Sequence, residues 1–161
     1  MRLFCLFLFS TLLCGVSACQ NEPKAVPPAS KKMDPLTAGL LDKSIIRIWP
    51  AELDSLRKVD PNLPLVDVRT DIEFNHAHIL RAMNCAVSDA DFEQRIIKLD
   101  REMPVIIYDD QSQRSLEAAV KMRALGFKRI YELSGGVFTW ARDGRVMIST
   151  QSKADPATIL R

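Results

Sequence analysis

The stretch VIIYDDQSQRSLEAA, Val105 to Ala119, decides the fold. It opens on the apolar run Val105–Tyr108, the pattern of a strand covered on both faces. Leu116, Ala119, Val120 and Ala124 then recur at helical spacing, and Gly126 closes the helix. Between the two lies DDQSQRS, Asp109–Ser115, a short polar loop. A strand that passes through such a loop into a helix aims the unpaired first N–H groups of the helix at whatever the loop holds. In open parallel sheets, sites gather at this carboxyl edge of the strands. Asp109 stands at the mouth of the loop, an acid where a nucleophile or a bound anion is expected.

The same alternation continues on both sides. SIIRIW (Ser44–Trp49) reads as a strand, and Pro50 suits the first turn of the helix that follows. LPLVDVR (Leu63–Arg69) is a second strand, DIEFNHA a short helical turn, and ILRAMNCAV (Ile79–Val87) contains a third strand. DADFEQRIIKLD (Asp89–Asp100) has helical spacing and an acidic first turn. KRIYEL (Lys128–Leu133) is the last clear strand, and GGVFTWARDG (Gly135–Gly144) is a final helix. Strands alternating with helices predict an α/β domain of three layers, a mainly parallel central sheet flanked by helices, over residues 37–147.

Around this domain the composition changes. Residues 1–18 have an early cation, Arg2, an apolar run from Leu3 to Cys14, and small residues ending in Val16-Ser17-Ala18. The run is shorter than the about 20 residues a spanning helix needs, and has the form of a secretory signal. Residues 19–36, proline-rich and without apolar periodicity, read as a flexible tether, and 148–161 as a C-terminal tail without chemical signal. The 22 basic and 20 acidic side chains nearly balance, so nothing in the charge points to nucleic acid. Of the four cysteines, Cys5 and Cys14 leave with the signal, so no disulfide is expected in the exported domain.

Two resemblances carry further expectations. Val16-Ser17-Ala18-Cys19 resembles the lipobox of bacterial lipoproteins, which implies cleavage before Cys19 and a lipidated, palmitate-bearing N-terminus there. With Gln20 rather than Asp following, the sorting pattern implies the outer membrane, facing the periplasm, in a Gram-negative cell. The domain itself resembles a single-domain rhodanese in four separated motifs. They are Asp67-Val68-Arg69, Glu73-Phe74-Asn75-His76-Ala77-His78-Ile79, Tyr108 with the loop to Arg114-Ser115, and Leu133-Ser134-Gly135-Gly136 with Trp140 and Gly144. Rhodanese loops have the form C-x-x-G-x-R-S, and here those positions read Asp109-Asp110-Gln111-Ser112-Gln113-Arg114-Ser115. Asp109 stands for the cysteine, Ser112 for the glycine, and Leu80-Arg81 for a usual Pro-Gly.

The resemblance implies a rhodanese-like domain without ordinary sulfurtransferase activity, because transfer runs through a cysteine thiolate and its persulfide. Asp109 is expected to accept the loop N–H bonds as a built-in anion, and the domain to act as a binding or regulatory module in the cell envelope. Its expected partners are the membrane, through lipid on Cys19, and a periplasmic protein, without nucleic acid or cofactor. The alternative is a sulfurtransferase working through Cys85 or a partner's thiol, set against Cys85 as a small buried hydrophobe. Asp67 and Arg69 are expected beside the loop, Asp67 as an anchor for backbone, and Arg69 or Arg114 either as ion-pair partners of Asp109 or Asp110 or as groups that still help admit an anion. An aspartyl-phosphate site would need further carboxylates around a metal ion, with Asp67 the one in reach. His76 and His78 offer at most two ligands where zinc takes three or four, so no metal is expected.

Overall fold

The computed structural model describes residues 34–150, and every structural statement below concerns these. The expected leader (1–18), the Cys19 lipidation position and residues 20–33 of the tether lie outside them, as does the tail beyond Thr150.

In chain order the elements are α1 (Pro35–Leu41), β1 (Ile45–Ile48), α2 (Pro50–Val59), β2 (Leu65–Asp67), α3 (Asp71–His76), β3 (His78–Ile79) and β4 (Met83–Asn84). There follow α4 (Phe92–Ile96), β5 (Val105–Tyr108), α5 (Gln113–Ala124), β6 (Ile130–Leu133), α6 (Gly136–Arg142) and β7 (Met147–Ile148). Strands β1, β6, β5, β2 and β4 form one sheet in that order, each neighbouring pair parallel. This is the α/β class read from the sequence.

The central position of β5 explains its unbroken apolar run. Val105 and Ile107 enter the core shared with Leu116, Met122 and Phe127, while Ile106 and Tyr108 enter the opposite core with Leu53, Leu133 and Trp140. The strand still alternates with a period of two, but both faces are covered, so both sets are apolar. Burying one such side chain contributes about 1.5–3 kcal/mol, which makes β5 the fixed point from which the loop departs.

Three elements differ from the sequence expectation. Helix α1 begins before Thr37, because the Asp34 carboxylate accepts the Thr37 N–H at 2.9 Å and Pro35 fits the first turn. Helix α4 holds only Phe92–Ile96 of the expected Asp89–Asp100; Lys98 and Leu99 donate three residues back, to Arg95 and Ile96, so the last turn tightens and ends. Beyond KRIYEL, the last clear strand of the sequence, the two-residue β7 pairs antiparallel with β3. Structure therefore continues past the expected bound at Met147, and the Thr150 N–H still donates to the Asn75 carbonyl at 3.1 Å.

Candidate functional site: the Asp109 loop

Strand β5 ends at Tyr108 and delivers Asp109 to the carboxyl edge of the sheet with no exposed surface. Its carboxylate turns back into the loop. Oδ1 accepts the Ser112 N–H at 2.6 Å and Oδ2 accepts the Arg114 N–H at 2.7 Å, while the Ser115 hydroxyl lies 3.2 Å from Oδ1. Ser112 adopts the left-handed conformation (φ 79°), which turns its N–H inward at a cost of about 1–2 kcal/mol for a residue with a Cβ. Two of the first N–H groups at the start of α5 are thus satisfied by a side chain carrying its own charge. That charge also lies favourably at the positive end of the helix.

The start of α6 closes against the same loop. The Gly135 N–H donates to the Ser112 hydroxyl at 2.8 Å, and the Val137 N–H to the Asp109 carbonyl at 2.9 Å. Gly136 has φ 49°, and a Cβ there would lie 2.6 Å from the Asp109 carbonyl carbon. Only glycine permits this approach.

Arg114 closes the mouth. Its guanidinium makes a bidentate pair with Glu73 of α3, at 2.9 and 2.7 Å, and reaches Asp110 at 2.8 Å. The Glu73 carboxylate also accepts the Thr70 N–H at 3.0 Å. The Arg114 hydrogen bonds, with those from Thr70, hold the Glu73 carboxyl down to about 2 despite the opposing effect of its partial burial. The same pairing pushes Arg114 further up.

One strand over, Asp67 stands in register with Tyr108. It accepts the Arg69 N–H at 2.9 Å and pairs with the Arg69 guanidinium at 2.6 Å, both side chains buried. Arg69 also donates to the Ala77 carbonyl at 2.7 Å. Asp67 is therefore a backbone anchor, while Arg69 pairs with Asp67 and not with either loop aspartate. Arg114 does pair with Asp110 through its side chain, and meets Asp109 through its backbone.

Glu132 escaped the sequence reading. It is fully buried in β6, its Oε1 accepts the Ser115 hydroxyl at 2.9 Å, and its Oε2 accepts Arg47 Nε at 3.1 Å. The Ser115 oxygen thus lies between two buried carboxylates with one proton to give. The signal was present: Glu132 shares a strand face with Ile130, which is fully buried, so strict alternation points an acid inward.

The other candidates are structural. Cys85 is 1% exposed within the core beside Phe92 and Leu116, and burial pushes its thiol pKa up, away from the reactive thiolate. His78 is buried, stacked on Phe74 at 3.8 Å, with Nδ1 2.8 Å from the Phe74 carbonyl; His76 is exposed. Among the described residues, no three His, Cys, Asp or Glu side chains gather as a metal would require, and Asp67 does not join the loop aspartates.

The fold and this loop define a class that comparison with known proteins identifies. The rhodanese-like domain family matches residues 50–143, and the chain belongs to that family. It is similar to the uncharacterized protein YqhL of Bacillus subtilis, 40% identical over 76 residues, which are 47% of this chain and 59% of that one. It is also similar to the thiosulfate sulfurtransferase GlpE of Coxiella burnetii, 32% identical over 79 residues, covering 49% of this chain and 72% of GlpE. The chain spans about three fifths of the length of the first curated relatives it matches. The crystal structure of the BH2092 protein from Bacillus halodurans shares the fold with a TM-score of 0.59 and 26% identity, over 74% of this chain and 88% of that one.

Proposed function

We infer that this chain is a lipid-anchored, rhodanese-like binding module of the cell envelope that does not itself carry sulfur. One observation carries the reading: the Asp109 carboxylate occupies the inward N–H groups of Ser112 and Arg114 with its own charge. Asp109 stands where the rhodanese pattern has cysteine, and a carboxylate in that cradle has no sulfur with which to form a persulfide. The activity named for GlpE therefore does not pass to this chain with the fold. Burial of Cys85 removes the remaining thiol of the domain from donors and acceptors. Lipid on Cys19 would hold the domain to the outer membrane, where its partner is a periplasmic protein.

The deciding experiment is sulfur loading. Purified protein is exposed to thiosulfate, its intact mass measured, and thiocyanate assayed after cyanide is added. The wild-type chain should gain nothing, whereas Asp109→Cys should gain the mass of one sulfur atom. A sulfur adduct on the wild-type chain overturns the reading. For the anchor, Cys19→Ser should move the protein from the membrane to the soluble fraction; a mutant still in the membrane would refute lipidation there.

A further inference from the structure

At the opposite, amino edge of the sheet, the turns entering β2 and β4 and the end of α2 line an open pocket of about 220 Å³. The only charged side chains lining it are Arg57 and Arg81, set among Pro61, Asn62, Pro64 and Met83. Arg57 is half-buried and donates to the Leu80 carbonyl at 2.7 Å, which fixes its guanidinium over the turn that carries Arg81. Arg81 has φ 68°, a left-handed conformation that disfavours any residue with a Cβ. Burial and, after it, the charge of Arg81 both work against the cationic form of Arg57; the attraction of Asp54 is weaker, and that carboxylate is engaged by Arg145. Arg57, tied to the Leu80 carbonyl, and Arg81, exposed at the rim, thus line one pocket without a carboxylate in the lining. Like charges so arranged repel, and an anion between them reverses the sign of the interaction.

The geometry points to a binding site for a doubly charged tetrahedral oxyanion of the phosphate class, held between Arg57 and Arg81 on the edge opposite the Asp109 loop. Guanidinium forks match the oxygens of phosphate in pairs, and two forks suit a dianion. The pocket of about 220 Å³ is open to solvent on one side, so it has room for the ion, and an ester substituent could extend outward from it. The site is separate from the loop and stands whether or not the loop carries sulfur.

Isothermal titration of the full chain in detergent, at ionic strength fixed with chloride, tests this with inorganic phosphate and with glycerol phosphate. Saturable one-to-one binding of either is expected; tighter binding of the ester would identify a phosphomonoester as the ligand, and tighter binding of the inorganic ion would identify free phosphate. Arg81→Gly removes one guanidinium while suiting the left-handed backbone, and should weaken binding by about tenfold or more. Arg57→Gln should do the same. No saturable heat with either probe, or an unchanged Kd in folded Arg81→Gly, overturns the site.

Discussion

Replacing Asp109 by alanine removes the acceptor for two N–H groups at once. The Ser112 N–H, at 2.6 Å, belongs to a buried residue, and the Arg114 N–H, at 2.7 Å, to a half-buried one. Hydrogen bonds to a charged group contribute about 1.5–3 kcal/mol each, and the lower figure applies where water can enter from the mouth. The expected loss is about 3 kcal/mol, enough to lower the Tm by about 10 °C for a domain of this size. Asp109→Asn keeps one acceptor oxygen and should lose about half as much. Urea unfolding followed by circular dichroism gives the stability, and amide hydrogen exchange gives the location. Exchange should accelerate at Ser112 and Arg114 beyond any general loss of protection. An Asp109→Ala stability within about 0.5 kcal/mol of wild type, the scatter of ordinary surface substitutions, would refute the built-in anion.

Other expectations follow from the same contacts. Glu73 is held down to about 2 from an ordinary 4.5, so its contribution is complete above about 4.5 and is lost as pH falls through that window. Its side chain is 35% exposed, so screening leaves about 1 kcal/mol at stake. Acid unfolding of Glu73→Gln should show a shallower slope there, and equal slopes would contradict the pairing. Gly136→Ala forces a Cβ into the Asp109 carbonyl at φ 49° and should lose about 2–4 kcal/mol in thermal unfolding. An unchanged Tm would mean that α6 does not bear on the loop. Cys85 should resist iodoacetamide until denaturant is added, and prompt alkylation of the folded chain would contradict its burial.

What was legible in the sequence is what local pattern carries. Strand β5 and helix α5 announce themselves because their periods persist over several residues, and the loop is defined by what lies between them. Helix α1 was equally legible in principle, since Asp34-Pro35 is a cap followed by a first-turn proline, but it sits against a proline-rich segment that masks it. Strand β7 was not legible: two residues carry no period, and its pairing partner β3 lies far back in the chain. The same holds for the site. The position of Asp109 could be read, whereas the bidentate pair of Arg114 with Glu73 joins residues 41 apart and exists only once α3 folds over the loop. The sequence leaves Arg69 open to pairing with either loop aspartate, whereas in the fold Asp67, two residues before it, takes its guanidinium. A short-range carboxylate needs no tertiary closure to compete.

An amide cradle selects for charge and shape, not for the element that bears the charge. A free anion competing for the loop would have to displace a carboxylate tethered within bonding distance, and so present at high effective concentration. It would also leave Asp109 unpaired at a fully buried position, at a cost of several kcal/mol. The loop is therefore closed to small anions by its own covalent structure. What remains accessible at the mouth is Gln111 and Gln113, with Glu73 and Asp110 sharing the single guanidinium of Arg114. Two carboxylates against one cation leave a net negative rim on a loop whose backbone is pinned by β5, α5 and α6. A pinned backbone with a fixed rim charge loses little entropy when a second surface meets it, which is what the proposed binding role needs.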